Sequence, residues 1–344
     1  MTPSQKPSFR CLTPAQAGAT LGVSAKALRL YEQRGLLAPD RTRTGWRAYD
    51  AAAMARAAEI VGLRRLGLSL AQVARVLDGE PRDLDAGLAA HEARLSEAGQ
   101  RTAAALARVR ALRADLARGS LPAPAAVTRA LVESAPLAIG FVLPWPWDGE
   151  WFALHDLPRL SFLTGPLGSG KTRFARGLAA ALPDVAFLGL DRLGDPDLAR
   201  RLAEDAPLAE RVERRLAWLV EEGAERSEAL TALVVALETD APASLVIDMV
   251  EEGLSAATQV ALMAHLRLRG TDKRALVLMT RSSSILDLDA LAPQEVVILC
   301  PANHDVPLLA VPHPGGRGYE AAATCLAAPD VRARTAGMMA VRPA

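Results

Sequence analysis

The sequence predicts an α/β protein overall, in which an all-α winged helix-turn-helix and a long coiled-coil helix precede an α/β domain with a mostly parallel sheet. Three observations predict this architecture. Two short capped helices flank a glycine-containing turn near residue 22, a three-and-four repeat of small and apolar residues runs through 88–116, and a glycine-rich loop at 165–172 joins a strand to a helix. A chain of 344 residues is long enough for two domains with separate cores.

The composition is that of a folded globular protein. Hydrophobic residues make up 50% of the chain, charged residues 23%, and the mean hydropathy is +0.13, which excludes a disordered or fibrous chain. No apolar run approaches the roughly 18 residues that span a bilayer, and the start MTPSQKPSFR lacks the apolar core of a signal peptide. We therefore expect a cytoplasmic protein with no membrane partner. The widely spaced Cys11, Cys300 and Cys325 predict buried thiols rather than a disulfide framework or a zinc cluster.

The net charge of +1 is unevenly distributed along the chain. Residues 1–80 contain 12 Lys and Arg against six Asp and Glu, which leaves a balance of −5 for the remainder. A basic module on an acidic body indicates that a polyanion such as nucleic acid binds the module, because phosphate contacts supply most nucleic-acid affinity. An ordinary solvated basic surface has the same composition.

Helix start and stop signals define two short N-terminal helices. Thr13 caps the first helix, Pro14 occupies its first position and Gly22 ends it. Ser24 caps the second helix, which Gly35 ends. Two helices joined by such a turn form a helix-turn-helix, whose second helix can enter the major groove of DNA.

The second helix has one inward and one outward face. The spacing of Leu28 and Tyr31 predicts that both side chains face inward. Lys26, Arg29 and Gln33 then lie on the face that would contact DNA.

A basic hairpin is predicted beside the helix pair. Turn-forming residues at 39–40 and 44–45 enclose a segment that contains Arg41 and Arg43, and Arg47 follows it. We expect this wing to hold DNA phosphates. A second helical pair is predicted at 51–66 and 69–77.

The order of these elements and three segments, ALRLYEQRGLL, GWRAY and LRRLGLSLAQVARVL, resemble the MerR family of bacterial transcription regulators. The resemblance covers about residues 11–118. It implies a dimer that binds double-stranded promoter DNA and distorts it so that RNA polymerase can engage, which makes the polymerase an indirect partner.

The resemblance also implies individual DNA contacts. Arg29 and Tyr31 on the second helix and Arg47 in the wing match family positions that contact DNA. The chain departs from the family at Leu30, where the first of two aromatic residues is expected, and in the wing, where Trp46 replaces a Tyr and Thr44 an Asn.

The repeat in 88–116 predicts a coiled-coil helix, because an alternating three-and-four spacing places one side-chain stripe along a partner. The family resemblance implies antiparallel pairing of this helix in a homodimer. Thr102 and several alanines weaken the stripe, so packing of the helix on its own C-terminal body remains an alternative. His91 is interpreted as a packing residue, and without cysteines here metal sensing is disfavoured.

The segment 165–172 has the pattern G-x-x-x-x-G-K-T between a predicted strand and a predicted helix. In this motif glycines allow backbone N–H groups to surround phosphates, and the helix N-terminus adds partial positive charge. Lys171 would reach the terminal phosphates and Thr172 would ligate Mg²⁺. The sequence therefore predicts ATP and Mg²⁺ as cofactors, with nucleotide-binding residues Gly165, Gly168, Ser169, Gly170, Lys171 and Thr172.

Two further strands complete the predicted nucleotide site. The apolar run that ends at Asp248 supplies an acidic group for the metal, and the run 275–280 predicts another buried strand. The segments GPLGSGKT, LVIDMVEEGL and LVLMTRSSSIL resemble the ABC/SMC-like branch of P-loop ATPases over about residues 137–300. This resemblance implies a mostly parallel sheet with an antiparallel strand pair ahead of the P-loop.

Departures from that family concern hydrolysis. Met249 stands where the family has the Glu that polarises the attacking water, and Arg281 stands where a His senses the γ-phosphate. Methionine cannot act as a base, so we expect slow or no hydrolysis, with Glu251 and Glu252 as weak replacement candidates. Arg281 would still hold a phosphate by its charge. Five aromatic residues precede the P-loop as adenine-stacking or core candidates: Phe141, Trp145, Trp147, Trp151 and Phe152.

The sequence thus predicts a DNA-binding regulator whose degenerate P-loop domain senses ATP–Mg²⁺. One alternative is an active ATPase or small-molecule kinase that the N-terminal module recruits to DNA, and another is a scaffold with a vestigial nucleotide site. The predicted domains are a MerR-like winged helix-turn-helix (1–80), a dimerisation coiled-coil helix (81–118), a Pro-containing linker (119–136) and an ABC/SMC-like nucleotide-binding domain (137–344).

Overall fold

A computed structural model describes residues 11–42, 45–80, 82–121, 127, 139–154, 157–269 and 274–334. The chain divides into two compact units, residues 1–94 and 95–344. Among the described helices, none combines the length and apolarity that crossing a membrane requires.

The first unit is built from short capped helices and a small hairpin. Side-chain oxygens of Thr13, Ser24, Asp50 and Ser69 accept hydrogen bonds at the four helix starts, which confirms three caps expected from the sequence. Gly18 lies against the turn between the first two helices, where an added Cβ would be 2.5 Å from the Val23 carbonyl oxygen. The elements are α1 (Pro14–Leu21), α2 (Ala25–Gln33), β1 (Asp40–Arg41), β2 (Arg47–Ala48), α3 (Ala51–Arg65) and α4 (Leu70–Leu77).

A single long helix, α5 (Arg82–Ala117), contains the predicted coiled-coil segment. Four large side chains of the repeat are between 37% and 60% exposed in the single chain: Leu88, Leu95, Val109 and Leu116. In the predicted homodimer a partner helix would cover this apolar row.

The second unit contains a mostly parallel sheet, as the sequence predicts. Within the described residues six strands follow the order β10-β9-β5-β8-β7-β6, and only β10 runs antiparallel to its neighbour. A separate antiparallel pair, β3 and β4, precedes the P-loop. The strands are β3 (Ile139–Val142), β4 (Trp151–Leu154), β5 (Leu160–Thr164), β6 (Val185–Leu188), β7 (Ser244–Ile247), β8 (Ala275–Met279), β9 (Glu295–Leu299) and β10 (Leu308–Ala310).

Helices cover both faces of this sheet. Alternate strand residues point to opposite faces, so Phe162 joins one apolar core and Leu163 the other. The helices are α6 (Lys171–Ala181), α7 (Leu198–Glu204), α8 (Ala206–Glu222), α9 (Glu228–Glu238), α10 (Ala256–Arg269), α11 (Tyr319–Cys325) and α12 (Pro329–Ala333). Helices α8, α9 and α10 pack on the Phe162 side, whereas α6 and the β3–β4 hairpin pack on the Leu163 side.

The sheet order brings the predicted nucleotide-binding segments together. β5 leads into the P-loop, β7 leads into Asp248, and β8 lies between these two strands and leads into Arg281. Because the carboxyl ends of parallel strands meet at one edge of a sheet, the three segments form one site.

The cysteine prediction is only partly right. All three thiols are free, and Cys300 is buried as expected. Cys11 is exposed, because it precedes α1 at the edge of the first unit, and Cys325 is partly buried.

A cluster of aromatic rings fixes α6 to the hairpin. The fully buried ring of Phe174 has its centroid 4.9 Å from that of Phe152, 5.5 Å from that of Phe141 and 6.1 Å from that of Trp147. Replacing this buried ring with the methyl group of alanine would leave a cavity in the core.

We expect Phe174→Ala to lower the free energy of unfolding of the C-terminal unit by about 3–5 kcal/mol, the usual cost of truncating a buried Phe. Urea unfolding followed by far-ultraviolet circular dichroism measures this change. The matched control is Val142→Ala on the exposed side of the same hairpin, where we expect a change of about 0.5 kcal/mol or less. Equal losses for the two variants would contradict the packing described.

Candidate functional site

The outward face of α2 carries the candidate DNA contacts. Lys26, Arg29 and Gln33 are exposed, as the sequence predicts. Leu28 and Tyr31 face inward, and the Tyr31 side chain is only 6% exposed within the core. The DNA contact of Tyr31 that the family resemblance implies therefore stays a prediction, and it would have to be made from the edge of the core.

One carboxylate of α2 anchors the wing. Glu32 pairs with Arg41 at 3.1 Å and, through its other oxygen, with the Nε of Arg47. The Arg41 guanidinium also donates to the Gly45 carbonyl across the hairpin, at 3.3 Å. The two predicted wing arginines are thus held beside α2, and Arg43 lies outside the described residues. The sequence pattern did not single out Glu32, because a carboxylate on a basic surface carries no periodic signal.

An exposed indole projects from the same wing. The side chain of Trp46 is 73% exposed, and the backbone N–H of Trp46 donates to the Thr42 hydroxyl at 3.1 Å. The position is the one at which the family has a Tyr.

The P-loop joins β5 to α6 through positions that only glycine fits. A Cβ on Gly165 would lie 2.4 Å from the Cys300 carbonyl oxygen. Gly170 has φ = 86°, and a Cβ there would lie 2.7 Å from the Trp147 ring. Both glycines therefore let the loop backbone pass close to neighbouring elements.

The loop is also held from outside. The His304 ring is within hydrogen-bond distance of the Gly168 carbonyl, with 3.0 Å between Nε2 and the oxygen. The Trp147 indole N–H donates to the Asp305 carbonyl at 3.0 Å. Residues 304–305 were not singled out from the sequence, because they lie between β9 and β10, more than 130 residues from the P-loop.

Lys171 is buried at the end of the loop. Its Nζ donates to the Pro166 carbonyl at 2.7 Å, and its side chain lies close to Asp248 and Arg281. Burial lowers the pKa of Lys171, and the positive charge of Arg281 lowers it further. A phosphate beside this ammonium would stabilise its charged form.

Thr172 and Asp248 form the candidate metal pair. Burial raises the pKa of Asp248, while a hydrogen bond from Thr172 and the charge of Arg192 act in the opposite direction. Within the part of the chain that the structure describes, the buried Oδ1 of Asp248 and the buried Oγ of Ser169 lack a hydrogen-bond partner. A hydroxyl beside an unpartnered carboxylate oxygen is the oxygen-rich environment that Mg²⁺ prefers, so these residues fit the predicted metal.

A cavity of about 390 Å³ opens between these groups. Six predicted residues line it, namely Gly168, Gly170, Lys171, Thr172, Asp248 and Arg281, and Met249 lines it as well. Gly165 and Ser169 lie in the loop but not among these lining residues.

The aromatic candidates divide into core and cavity residues. Phe141, Trp147 and Phe152 are buried in the core on the α6 side of the sheet. Trp145 is 63% exposed, lines the cavity and has the Arg173 guanidinium 4.1 Å from its ring centroid. The exposed Trp151 is not among the lining residues.

A buried arginine fixes the turn after β7. Arg192 is 4% exposed and donates to the carbonyls of Asp248 at 2.7 Å and Met249 at 2.6 Å. It also donates to Gly189 at 2.8 Å. Met249 has φ = 42°, a left-handed conformation that is strained for a side chain of this size and that the three-way contact stabilises.

The two replacement candidates for the missing base have different surroundings. Glu251 is buried, accepts the Arg281 backbone N–H at 2.8 Å and pairs with Arg332. Glu252 is exposed and lies 3.9 Å from the same guanidinium. Neither is among the residues that line the cavity.

Comparison with known proteins finds a family match within the first unit. The model of the MerR HTH family regulatory protein matches residues 12–80. The nodulation protein NolA of Bradyrhizobium sp. (strain NC92) is 47% identical over 64 residues, which are 18% of this chain and 27% of that protein, so the chain spans about a quarter of that relative's length.

Two solved structures resemble parts of the chain. One is HiNmlR, a MerR family regulator lacking the sensor domain, bound to promoter DNA (20% identity, TM-score 0.28, 32% of this chain and 92% of that chain). The other is the ADP conformation of an ATP-binding cassette of an ABC transporter (14% identity, TM-score 0.38, 59% of this chain and 99% of that chain). Residues 12–80 are thus a helix-turn-helix domain of the MerR family, joined in this chain to an α/β domain that carries a P-loop motif.

Proposed function

We propose that this protein is a transcription regulator that binds double-stranded promoter DNA and whose P-loop domain binds ATP–Mg²⁺ as a sensor. The observation that carries the proposal is the cavity where Lys171, Thr172 and Asp248 meet, with a buried Asp248 oxygen that lacks a partner among the described residues. In this proposal the protein acts in the cytoplasm as a homodimer whose contact is formed by residues 88–116. It influences RNA polymerase indirectly, through the promoter.

The lining residues have distinct proposed roles toward the nucleotide. Backbone N–H groups of the glycine-rich loop and the start of α6 bind phosphate oxygens, and Lys171 neutralises their charge. Thr172 and Asp248 hold Mg²⁺, which when bound neutralises the charge of the terminal phosphates. Trp145 offers an exposed aromatic face to adenine at the rim of the cavity. Arg281 attracts the γ-phosphate.

Slow hydrolysis follows from what surrounds the phosphates. Met249 lines the cavity where the ABC/SMC-like resemblance implies a Glu, and a thioether takes no proton from water. Losing a positioned general base costs about 10²- to 10⁴-fold in rate. Bound ATP would therefore persist long enough to act as a signal.

The DNA side of the proposal rests on an exposed basic surface. Lys26 and Arg29 lie on the outward face of α2, and Glu32 holds Arg41 and Arg47 beside them. Arg43 belongs to the same proposed surface by its place in the sequence. Guanidinium and ammonium groups spread over a helix and a wing suit successive phosphates along a duplex.

An active ATPase or small-molecule kinase recruited to DNA is the second candidate. It is favoured by the hydrogen bond between Thr172 and Asp248, which keeps both groups of the metal pair in place. The two functions differ in what a P-loop variant loses, since a sensor loses its DNA response and an enzyme loses turnover.

We expect Lys171→Ala to weaken binding of a fluorescent ATP analogue about 10- to 100-fold, because a hydrogen bond to a charged group contributes ~1.5–3 kcal/mol. The same variant should no longer change its affinity for DNA when ATP–Mg²⁺ is added, measured by gel shift on the DNA upstream of its own gene. Arg200→Ala, which alters an exposed arginine of α7, is the control and should respond like the parent. A parent protein that retains no adenine nucleotide would overturn the proposed function, and rapid phosphate release lost in Lys171→Ala would favour the enzyme.

We expect Arg29→Gln to weaken DNA binding and to reduce the slope of log affinity against log salt by about 1, because one phosphate contact fewer releases one counterion fewer. Titrations at several salt concentrations by fluorescence anisotropy measure the slope. Arg118→Gln, at an exposed arginine paired with Asp115, is the matched control with an unchanged slope expected. An unchanged slope in both variants would remove Arg29 from the proposed phosphate contacts.

A further inference from the structure

A C-terminal strap, defined as residues 326–333, runs beside the segment that follows β8. The Ala327 N–H donates to the Arg281 carbonyl at 3.0 Å, and the Ser283 N–H donates to the Ala327 carbonyl at 3.0 Å. Ser282 and Ala327 form a parallel bridge between them. The strap is therefore fixed to the backbone of Arg281, whose side chain lines the cavity.

The strap also places a guanidinium group beside the acidic turn that follows β7. Arg332 of α12 forms an ion pair with Glu251 and lies 3.9 Å from Glu252. The Glu251 side chain is 2% exposed, and its Oε1 accepts both from Arg332 and from the Arg281 backbone N–H. Arg332 thus lies within ion-pair distance of both Glu251 and Glu252.

Glu251 is chemically able to do what Met249 cannot. In ATP hydrolysis the water oxygen bonds to the γ-phosphorus, and the bond from that phosphorus to the bridging oxygen breaks with its electron pair leaving on ADP. A carboxylate positioned beside that water can accept the proton that the water loses and later return it to solvent. The other oxygen of Glu251, Oε2, is buried without a hydrogen-bond partner among the described residues, so the group retains an acceptor.

The ion pair with Arg332 fixes the Glu251 side chain toward the strap, since a charge-assisted hydrogen bond is stronger than a neutral one. A carboxylate fixed in this way cannot turn toward a water molecule beside the γ-phosphate.

We propose that the C-terminal strap restrains ATP hydrolysis in this protein, with Arg332 holding Glu251 away from the role of general base. The inference rests on the proposed function, namely that the cavity binds ATP–Mg²⁺. Displacing the strap would convert a slow nucleotide sensor into a faster hydrolase, so that whatever contacts residues 326–333 would set the lifetime of the bound nucleotide.

The test compares steady-state phosphate release from ATP–Mg²⁺ by the full chain and its variants. We expect Arg332→Gln to release phosphate about tenfold faster than the parent or more, a part of the effect that a positioned base supplies. The added substitution Glu251→Gln should abolish the gain. Arg334→Gln, two residues further along and exposed, is the matched control and should leave the rate at the parent value.

A second variant covers the case in which Arg332→Gln does not fold. Ala327→Pro removes the N–H that binds the Arg281 carbonyl and weakens the attachment of the strap while the Arg332 side chain itself is kept. It too should release phosphate faster than the parent, and circular dichroism establishes which variants are folded.

Binding of a fluorescent ATP analogue separates the two levels of the proposal. If the parent binds the analogue but neither folded strap variant is more than twofold faster, the strap inference fails while the proposed function stands. A gain that survives Glu251→Gln also overturns the inference. If the parent binds no analogue, the proposed function itself fails.

Discussion

The parallel pairing of β5, β8 and β7 is the constraint on which the candidate nucleotide site depends. Leu163 is paired with Met279, and Ile247 with Leu278, so the three strands end at the same level of the sheet. The P-loop, Asp248 and Arg281 belong to segments separated by about 80 and 30 residues in sequence, and this register alone makes them neighbours. Side chains of the two apolar cores hold the register from both faces, because a shift by one residue would move every side chain of the strand to the opposite face of the sheet.

Arginine–carboxylate and arginine–carbonyl contacts then refine what the sheet brings together. Arg192 fixes the turn after β7, and Arg332 forms an ion pair with Glu251. In the first unit, Glu32 forms ion pairs with both described arginines of the wing. Each contact joins a helix or turn to a loop that carries candidate chemistry. Guanidinium suits this role because its planar array of donors can bind several oxygens at once.

Local signals in the sequence predicted the framework well. The caps at Thr13, Ser24 and Ser69 are made by neighbouring atoms, and the glycine-rich loop, the apolar strand before Asp248 and the long helix are each visible within one short segment. Such features depend on residues a few positions apart, so a single sequence contains them completely.

The remaining parts of the sites depend on partners that are far apart in the sequence. Arg192 lies 57 residues from Met249, and Arg332 lies 81 residues from Glu251. No periodicity or spacing marks such pairs, and the orientation of Trp145 toward the cavity depends on the hairpin turn rather than on residue type. The exposure of Cys11 was also missed, because it depends on the place of this residue before the first helix and not on the apolar character of a thiol.

The apolar row on α5 has a consequence for the cell. In the proposed homodimer a second molecule covers the surface of Leu88, Leu95, Val109 and Leu116, and the fraction of paired molecules rises with protein concentration, as mass action requires. Under that proposal the copy number of the protein is an input of its own, because doubling its synthesis would change the fraction of paired molecules before any nucleotide level changes.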